Sequence, residues 1–495
     1  MPRMLLGTAL TLVALAVAGA PAVAQDAPPA AKPPGNDERI DRIEKELEKT
    51  KAELEALKRE REGEARKAPA DEKPGEAKPA GEKATADAPH AEGFGEEFVK
   101  KFGPDAVVTW KDGFNILFLD SDRDGTPAKD AVLHQVGVHG RLHVDYRGFF
   151  EHSYPTGDEF RVRRARIAAS GFLFKYHEFV VEFDMGGFAS GIRDAHMDFH
   201  YIDQARLKVG SHKQPFSLEQ LISSRYIPFV ERSFFNLGTS NIQYDIGVQL
   251  HGEVGPLKYG FGVYNGRGQL TRDDNEDKDV AGRLVLQPFK GDKESVLESF
   301  ALGGSFSVGR QSSSPQDFST YAGSTYIDFA PDVSQDGTRW RAGGDISYAV
   351  GPVYFLGEYF HMRLEDVFRG TGATRVEESG DILSFYVGAV LFLTGEKAAV
   401  GKRVYPKSNF NPFEGGTGAV ALAARFDQLH CEKDFFRFGI ARGTDQVDAV
   451  TLGVRWFLNP YFKVEGDFYK AWFDEDILGD ERDEWGMNIR FAMEY

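Results

Sequence analysis

The sequence predicts an all-β protein: an antiparallel transmembrane β-barrel of about 16 strands, preceded by a short N-terminal coiled coil. Three observations support this fold. The chain begins with an apolar leader, most of residues 94–495 alternates apolar with polar residues, and the last strand ends on an aromatic residue. A barrel strand needs apolar side chains only on its lipid-facing side, so its overall hydropathy is moderate. The mean hydropathy of −0.38 therefore excludes a bundle of membrane helices but allows a barrel.

Residues 1–24 have the organisation of a secretory signal peptide. Arg3 supplies a positive start, residues 4–20 form an apolar run, and Ala22-Val23-Ala24 is a small-residue cleavage site. A membrane anchor helix is the alternative, but the run is short and rich in Ala and Gly. No Cys follows the run, which argues against a lipid anchor. We therefore predict an exported protein that loses residues 1–24.

Three low-complexity segments follow the leader. Residues 25–35 are rich in Ala and Pro and are predicted to be disordered. Residues 36–67 are predicted to be a coiled-coil helix, with a single solvated helix as the alternative; Ile at both seam positions of the first heptad favours trimers. Residues 68–93 contain no large apolar residue and are predicted to be an extended linker. The coiled-coil seam consists of Ile40, Ile43, Leu47, Thr50, Leu54 and Leu57.

Residues 94–495 are predicted to form the barrel. Between Val136 and Tyr146 the apolar residues share one parity and the charged residues the other, as in a strand with one apolar face. The last strand is the clearest example, because Trp485 to Tyr495 alternates strictly and ends on the aromatic residue. Such an ending resembles the assembly signal of bacterial outer-membrane barrels. A soluble edge strand is the alternative, but its exposed apolar face would favour aggregation.

Alternation and turn residues together predict sixteen strands, the even number that a closed antiparallel barrel with both ends on one side requires. Tight turns at 254–257, 350–353 and 458–460 are predicted on the periplasmic side and the long connections on the other, except for the long inner connection 395–416. Residues 113–120 are a further short strand that either raises the count or lies outside the wall. The predicted strands are 132–150, 160–172, 174–186, 193–201, 204–212, 243–254, 257–264, 278–290, 298–308, 338–350, 352–364, 380–394, 417–428, 447–458, 461–473 and 484–495.

Composition and motifs argue against several classes of function. The single Cys431 excludes a disulfide framework, and 59 basic against 76 acidic residues argue against a nucleic-acid partner. Residues 120–125 match the start of a calcium loop, but the twelfth position is Ala131, so we interpret them as an acidic turn. His139 and His143 are about 13 Å apart if they lie on a strand, too far to share a metal ion. We predict no cofactor and no enzyme activity.

Five stretches of the barrel region carry recognisable motifs. They are residues 160–167 (Phe-Arg-Val-Arg-Arg-Ala-Arg-Ile) with Gly171, residues 207–210 leading to 213–219 (Lys-Gln-Pro-Phe-Ser-Leu-Glu), residues 229–233 (Phe-Val-Glu-Arg-Ser), residues 393–396 (Leu-Thr-Gly-Glu) and residues 453–460 (Gly-Val-Arg-Trp-Phe-Leu-Asn-Pro). These stretches resemble the phosphate-selective porin O and P family. The resemblance covers most of residues 130–495 but not the coiled coil. It implies a trimeric, sixteen-stranded channel of the bacterial outer membrane for small anions, phosphate being the best-known substrate.

Residues 160–167 contain four arginines and a change of parity. Phe160 and Val162 have one parity and Ala165 and Ile167 the other, so we predict a β-bulge at Arg163-Arg164 that directs all four arginines into the lumen. Arginine and lysine rings are how pores favour anions. The alternative is a structural ladder in which the arginines pair with lumen carboxylates on the next strand. The predicted anion pathway consists of Arg161, Arg163, Arg164, Arg166, Arg141, Arg147, Arg206, Lys208, Lys213, Arg225 and Arg232.

Two long connections bear on the pore. The connection 213–242 is rich in aromatic and aliphatic residues, so we expect it to fold into the barrel and narrow it, with a mobile outer loop as the alternative. The inner connection 395–416 carries Lys397, Lys402, Arg403 and Lys407, and either forms a basic vestibule or lies on the rim.

The charge balance weighs against anion selectivity. Residues 94–495 contain 44 basic and 58 acidic residues, a net charge of −14. Selectivity is set at the constriction, so this balance does not decide the matter. We predict passive diffusion of small anions, with a weakly selective porin, an outer-membrane lipase or protease, and an envelope tether as alternatives. The expected partners are outer-membrane lipid, anions such as phosphate, two further copies in a homotrimer, and a periplasmic or cell-wall contact through residues 36–67.

Overall fold

The computed structural model describes the barrel and a short hairpin that precedes it. The described residues are 99–101, 106–110, 114–119, 133–151, 158–174, 176–187, 190–269, 276–321, 323–477 and 481–495. The predictions for residues 1–24, 25–35, 36–67 and 68–93, and for the acidic turn at 120–125, lie outside these residues.

Sixteen antiparallel strands form one closed barrel, the number predicted from alternation. The barrel closes between its last and first strands, where Met493 pairs with Leu142 and Met487 with Gly148. The strands are β1 Leu133–Glu151, β2 Glu159–Leu173, β3 His177–Asp184, β4 Gly191–Phe199, β5 Arg206–Lys213, β6 Tyr244–Val254, β7 Leu257–Tyr264, β8 Asp279–Leu286, β9 Ala301–Gln311, β10 Gly337–Val350, β11 Val353–Arg369, β12 Val376–Phe392, β13 Ala419–Cys431, β14 Gln446–Phe457, β15 Phe462–Ile477 and β16 Glu481–Glu494.

The barrel wall has an apolar outer face and a polar inner face, because successive side chains of a strand point to opposite sides. In β16, Phe491 is 54% exposed whereas the neighbouring Arg490 is fully buried. In β9, Leu302 and Phe306 are exposed whereas Ser305 is buried. An apolar outer belt of this kind matches the hydrocarbon of a bilayer. Within the described part of the chain, no helix is both long and apolar enough to cross a membrane.

The connections differ at the two ends of the barrel. Residues 255–256 and 351–352 are tight turns between β6 and β7 and between β10 and β11, and they share one end, which we call the turn end. Gly255 and Gly351 have φ values of 58° and 54°, a conformation that favours glycine. The predicted exception also holds, because the long connection between β12 and β13 lies at the turn end. A second long connection, residues 287–300 between β8 and β9, also lies at the turn end, because β8 ends at Leu286 and not at residue 290 as predicted. The opposite end, which we call the loop end, carries the remaining long connections.

One predicted loop needs correction, and one alternative that the sequence left open is resolved. The predicted strands 352–364 and 380–394 leave residues 365–379 as a loop, but most of these residues are in strands, since β11 extends to Arg369 and β12 begins at Val376. Strands that rise above the bilayer carry polar residues on both faces, so their sequence looks like a loop. At the turn end, the strand Phe114–Leu119 pairs with residues 133–138 of β1, beyond the point where β16 ends. It therefore lies outside the wall, and it continues a hairpin of Val99–Lys101 and Ala106–Trp110 that the sequence did not predict.

One side of the lumen is filled by an aromatic core. The connection between β5 and β6, residues 214–243, runs inside the barrel and is called the infolded loop below; it contains helices α1 Leu218–Leu221 and α2 Phe234–Gly238. Phe235 stacks on Phe360 of β11 with ring centroids 4.4 Å apart, and Phe234 stacks on Tyr321 at 4.7 Å. These rings are fully or almost fully buried. The prediction that this connection folds into the barrel is confirmed.

Loop-end segments complete the aromatic core. The short strands Phe318–Ser319, Thr325–Phe329 and Ala441–Gly443 form a second, three-stranded sheet. Helix α3 Lys433–Arg437 places Phe435 against Phe329, with ring centroids 5.9 Å apart. The core is thus built from the infolded loop, strands β11–β15 and these loop-end segments. The other side of the lumen, next to β1–β6, is lined by polar and charged side chains and contains a cavity.

Candidate functional site

A cavity of about 900 Å³ lies between the infolded loop and strands β1–β6. Its described lining holds eight basic and three acidic side chains, a net of five positive charges with ordinary ionisation. We call it the basic cavity. The basic residues are Arg141, Arg163, Arg164, Arg166, Arg193, Lys213, Arg232 and Arg267, and the acidic residues are Glu182, Asp194 and Glu231. The sign of this lining is opposite to that of the chain, whose net charge is −17.

A β-bulge in β2 creates one wall of the basic cavity. His143 pairs with Arg164 and Val144 with Val162, so Arg163 is an extra residue in β2. The bulge lies where the parity change predicts it, and it lets neighbouring residues point to the same side. Phe160 and Val162 are exposed on the outer face, and Ile167 is exposed there after the bulge. The four arginines of this strand instead contact lumen groups or line lumen cavities.

Glu231 of the infolded loop lies at the centre of a guanidinium cluster. Arg163 donates hydrogen bonds to both oxygens of its carboxylate, from Nε to Oε1 at 2.7 Å and from Nη2 to Oε2 at 3.2 Å. Arg147, Arg161 and Arg490 lie 3.5, 3.7 and 3.6 Å from Oε1. Burial would raise the pKa of Glu231, but attraction to Arg163, Arg164 and Arg490 outweighs it and holds the pKa well below its ordinary value. Glu231 is therefore an anion.

Other cavity arginines are paired with wall carboxylates. Arg166 donates to Glu182 on β3 at 2.7 Å and to Asp184 at 2.7 Å. Arg141 lies 3.5 Å from Glu182 and donates hydrogen bonds to the Ser223 and Ser224 hydroxyls of the infolded loop. The predicted structural ladder is therefore present in part, alongside the arginine wall.

Three basic side chains of the basic cavity are held without a carboxylate partner in an ion pair within the described residues. Lys213 donates to the carbonyl oxygens of Gln220 at 2.6 Å and Ile222 at 3.2 Å. Arg232 donates to the carbonyl oxygens of Glu219 and Ile222 at 3.2 and 2.7 Å. Arg164 is 5% exposed, and its buried Nη1 has no hydrogen-bond partner. These three groups therefore line the basic cavity with donors that no described carboxylate binds.

A second cavity of about 550 Å³ lies towards the loop end and is called the outer cavity. Arg147, Arg161 and Arg163 line it together with Asp317 and Thr320 of the loop between β9 and β10. Arg163 lines both cavities, so its side chain stands where they adjoin.

The remaining predicted pathway residues lie elsewhere. Arg206 donates to Glu178 at 2.5 Å and to Asp198 at 2.8 Å, and neither Arg206 nor Lys208 is among the described residues that line these two cavities. Arg225 donates to the Gly140 carbonyl at 3.3 Å and lines a smaller pocket near the turn end with Lys402 and Arg403. The structure thus joins eight of the eleven predicted residues in the two cavities and separates three from them.

The infolded loop is anchored to the far wall by three lumen carboxylates. Glu358 of β11 accepts hydrogen bonds from the N–H groups of Leu218 and Glu219, both at 2.7 Å. Asp467 of β15 accepts one from Val230 N–H at 2.7 Å, and Asp427 of β13 accepts one from Phe234 N–H at 2.8 Å. These bonds satisfy backbone donors that the loop would otherwise bury without partners. They fix the loop as one wall of the basic cavity.

A sequence model of the phosphate-selective porin O and P family matches residues 136–474, well over half of the chain. The chain belongs to the phosphate-selective porin O and P family. It is a β-barrel channel of the outer membrane. Porin O of Pseudomonas aeruginosa is 22% identical to this porin over 432 residues, covering 79% of this chain and 93% of that protein.

Solved structures that are similar to this porin include the following two. OmpT, an outer membrane protein of Vibrio cholerae, has a TM-score of 0.48 and 12% identity, covering 73% of this porin and 98% of that chain. An anion-selective porin from Comamonas acidovorans has a TM-score of 0.45 and 14% identity, covering 73% of this porin and all of that chain.

Sequence reasoning missed two basic residues of this porin's cavity. Arg193 lies beside a second irregularity, since Val181 pairs with Ala195 but Phe183 pairs with Ile192. The change of parity between Ile192 and Ala195 could have predicted this irregularity, as the change of parity in β2 predicted the β-bulge there. Arg267 belongs to the connection between β7 and β8, where no alternation exists to assign a direction. Within the described residues, no group of three or more His, Cys, Asp or Glu side chains could hold a metal ion.

Proposed function

We propose that this porin lets small anions diffuse passively through the basic cavity, and that oxyanions such as phosphate are preferred. The observation that supports the proposal is the net positive lining of the cavity in an acidic chain. Arginine presents several fixed donors that match an oxyanion, and its charge does not depend on pH. The arginines that line the two cavities, with Arg163 at their junction, would act as successive ligands for a permeating anion.

Reversal potentials of the purified full-length porin in planar bilayers under a potassium chloride gradient test the proposal. We expect the reversal potential to lie close to the equilibrium potential of chloride and away from that of potassium. Inorganic phosphate is expected to reduce the chloride current. A cation-selective channel would contradict the proposal.

A weakly selective diffusion porin is the second candidate. It is favoured by the carboxylate partners of the cavity residues Arg141, Arg163 and Arg166, which reduce the charge available to solutes. The same bilayer experiment separates the two candidates, because a weakly selective pore would conduct phosphate and chloride with similar ease and show no block.

We propose a homotrimer in which residues 36–67 form a three-stranded coiled coil that contacts the periplasm or cell wall. The a/d seam and its Ile residues support this assignment. Deleting residues 36–67 from the exported chain should weaken trimers or envelope attachment and leave single-channel currents unchanged. Loss of the currents would contradict a tethering role.

Two further proposals concern processing and catalysis. The mature protein is expected to begin at Gln25, after signal-peptide cleavage, and mass spectrometry of the intact chain measures this. The purified porin is expected to hydrolyse neither lipid nor peptide, and hydrolysis that disappears on changing one Ser or His would support an enzyme instead.

A further inference from the structure

Glu231 occupies a place that a free oxyanion could fill. Its side chain is 3% exposed, and four arginines approach its carboxylate within 3.7 Å. Arg490 also has its own partner, since it donates to both oxygens of Asp145 at 2.7 Å. Glu159 lies 3.7 Å from Arg161. Leaving Arg147 aside, the four arginines Arg161, Arg163, Arg164 and Arg490 face three described carboxylates, Glu231, Asp145 and Glu159, so positive charge is in excess. The remaining charge faces the two cavities through Arg161, Arg163 and Arg164.

The position of Arg163 ties this cluster to the pore. Its guanidinium is the side chain that Glu231 binds most closely, and it lines both the basic cavity and the outer cavity. An anion that moves between the cavities passes a guanidinium whose donors already bind a carboxylate. It must compete with that carboxylate for the same donors.

The side chain of Glu231 is not what anchors the infolded loop. The backbone around it is held independently: Val230 N–H donates to Asp467, the Val230 carbonyl accepts from Arg490 at 2.6 Å, and the Glu231 carbonyl accepts from Arg425 at 3.1 Å. Glu358 accepts hydrogen bonds from the first residues of α1, and Asp427 accepts one from the first residue of α2. A change at the carboxylate alone should therefore leave the wall of the cavity in place.

We propose that Glu231 is a tethered counter-anion, which occupies the guanidinium cluster in place of a permeating oxyanion and keeps the cluster's affinity for oxyanions low. This inference rests on the proposed anion channel. A carboxylate held on the chain competes at a high effective concentration, so a free anion binds only weakly and briefly. Conduction requires sites that are favourable enough to enter and weak enough to leave. Glu231 thus determines the balance between affinity and throughput.

The test uses Glu231→Gln in the full-length porin, with Glu182→Gln as the matched control. Both variants remove one negative charge from the lining of the basic cavity, but only the first frees the donors of Arg163. Inorganic phosphate should block the chloride current of E231Q at concentrations about tenfold or more below those needed for the original porin. E182Q should gain distinctly less affinity for phosphate, because Arg166 still has Asp184 as a carboxylate partner.

A second readout does not depend on current. Removing the carboxylate leaves the guanidinium cluster repelling itself, so E231Q in detergent should unfold at a lower temperature, and phosphate should restore that temperature. Sulfate should act in the same way, and E182Q should show distinctly less rescue. A purely structural role of Glu231 predicts destabilisation that phosphate does not repair, and that result overturns the proposal.

The remaining outcomes are also decisive. An equal gain of phosphate affinity in E231Q and E182Q, or no gain in E231Q, overturns the proposal. If E231Q does not fold, Glu231→Asp is the second variant, because it retains the charge but shortens the side chain by one methylene. Its affinity for phosphate should rise by a smaller factor than that expected for E231Q. An unchanged affinity for phosphate overturns the proposal. If the original porin itself is not anion-selective, the proposed function fails, while rescue of E231Q by phosphate still tests the counter-anion.

Discussion

Replacing Arg164 by Gln tests whether an unpaired guanidinium of the basic cavity contributes to anion binding. The side chain is 5% exposed, and among the described residues no carboxylate forms an ion pair with it. A hydrogen bond to a charged group contributes about 1.5–3 kcal/mol, and about 1.4 kcal/mol corresponds to a tenfold change in binding. We therefore expect R164Q to weaken the block of chloride current by phosphate about tenfold or more.

Arg283→Gln is a control of equal charge and equal exposure. Arg283 of β8 is also 5% exposed, but it binds both oxygens of Asp345, at 2.5 and 2.9 Å, and it is not among the described residues that line the basic or the outer cavity. Phosphate titrations of both variants in the same bilayer, each at one salt concentration, give the comparison. If R283Q weakens the block as much as R164Q, or R164Q leaves it unchanged, the reasoning from unpaired charge is refuted.

Three predictions concern the barrel itself. Phe235→Ala removes the ring that stacks on Phe360 and should cost about 3–5 kcal/mol, measured as a lower unfolding temperature on heated gels and a noisier channel. Asp145→Asn leaves the fully buried Arg490 without its bidentate partner and should cost about 3–5 kcal/mol at the seam where the barrel closes, measured by denaturant unfolding in detergent. Gly171→Ala would place a Cβ 1.8 Å from the Gln135 carbonyl oxygen, so less folded barrel should reach the membrane, measured by heat-modifiable mobility.

Local parity explains why so much of the wall could be predicted from the sequence. The side-chain period of a strand is two residues, so the phase change between Val162 and Ala165 identified the bulge in β2 without knowledge of any partner. The aromatic content of residues 214–243 likewise identified a segment that could not remain in water. Both signals lie within a few residues of the feature that they predict.

The partners of the arginines could not be predicted in the same way. Arg163 and Glu231 are 68 residues apart in the chain, and only the path of the infolded loop brings them together. The predicted ladder with β3 was correct for Arg166, whose partners Glu182 and Asp184 lie on the neighbouring strand. The net charge of the whole chain also failed to predict the net positive charge of the cavity lining, because many acidic residues lie away from the pore.

The aromatic core has a consequence for the order of assembly. Its residues extend along the chain from Phe216 to Phe473, and the strands that contribute to it become neighbours only when the wall is formed. Lipid-facing side chains gain nothing from water exclusion against one another once they are in the bilayer, whereas lumen rings still leave water when they pack. We therefore expect the wall to close first around a wet interior, and the infolded loop then to exclude water from one half of it. The pore is the half that remains wet.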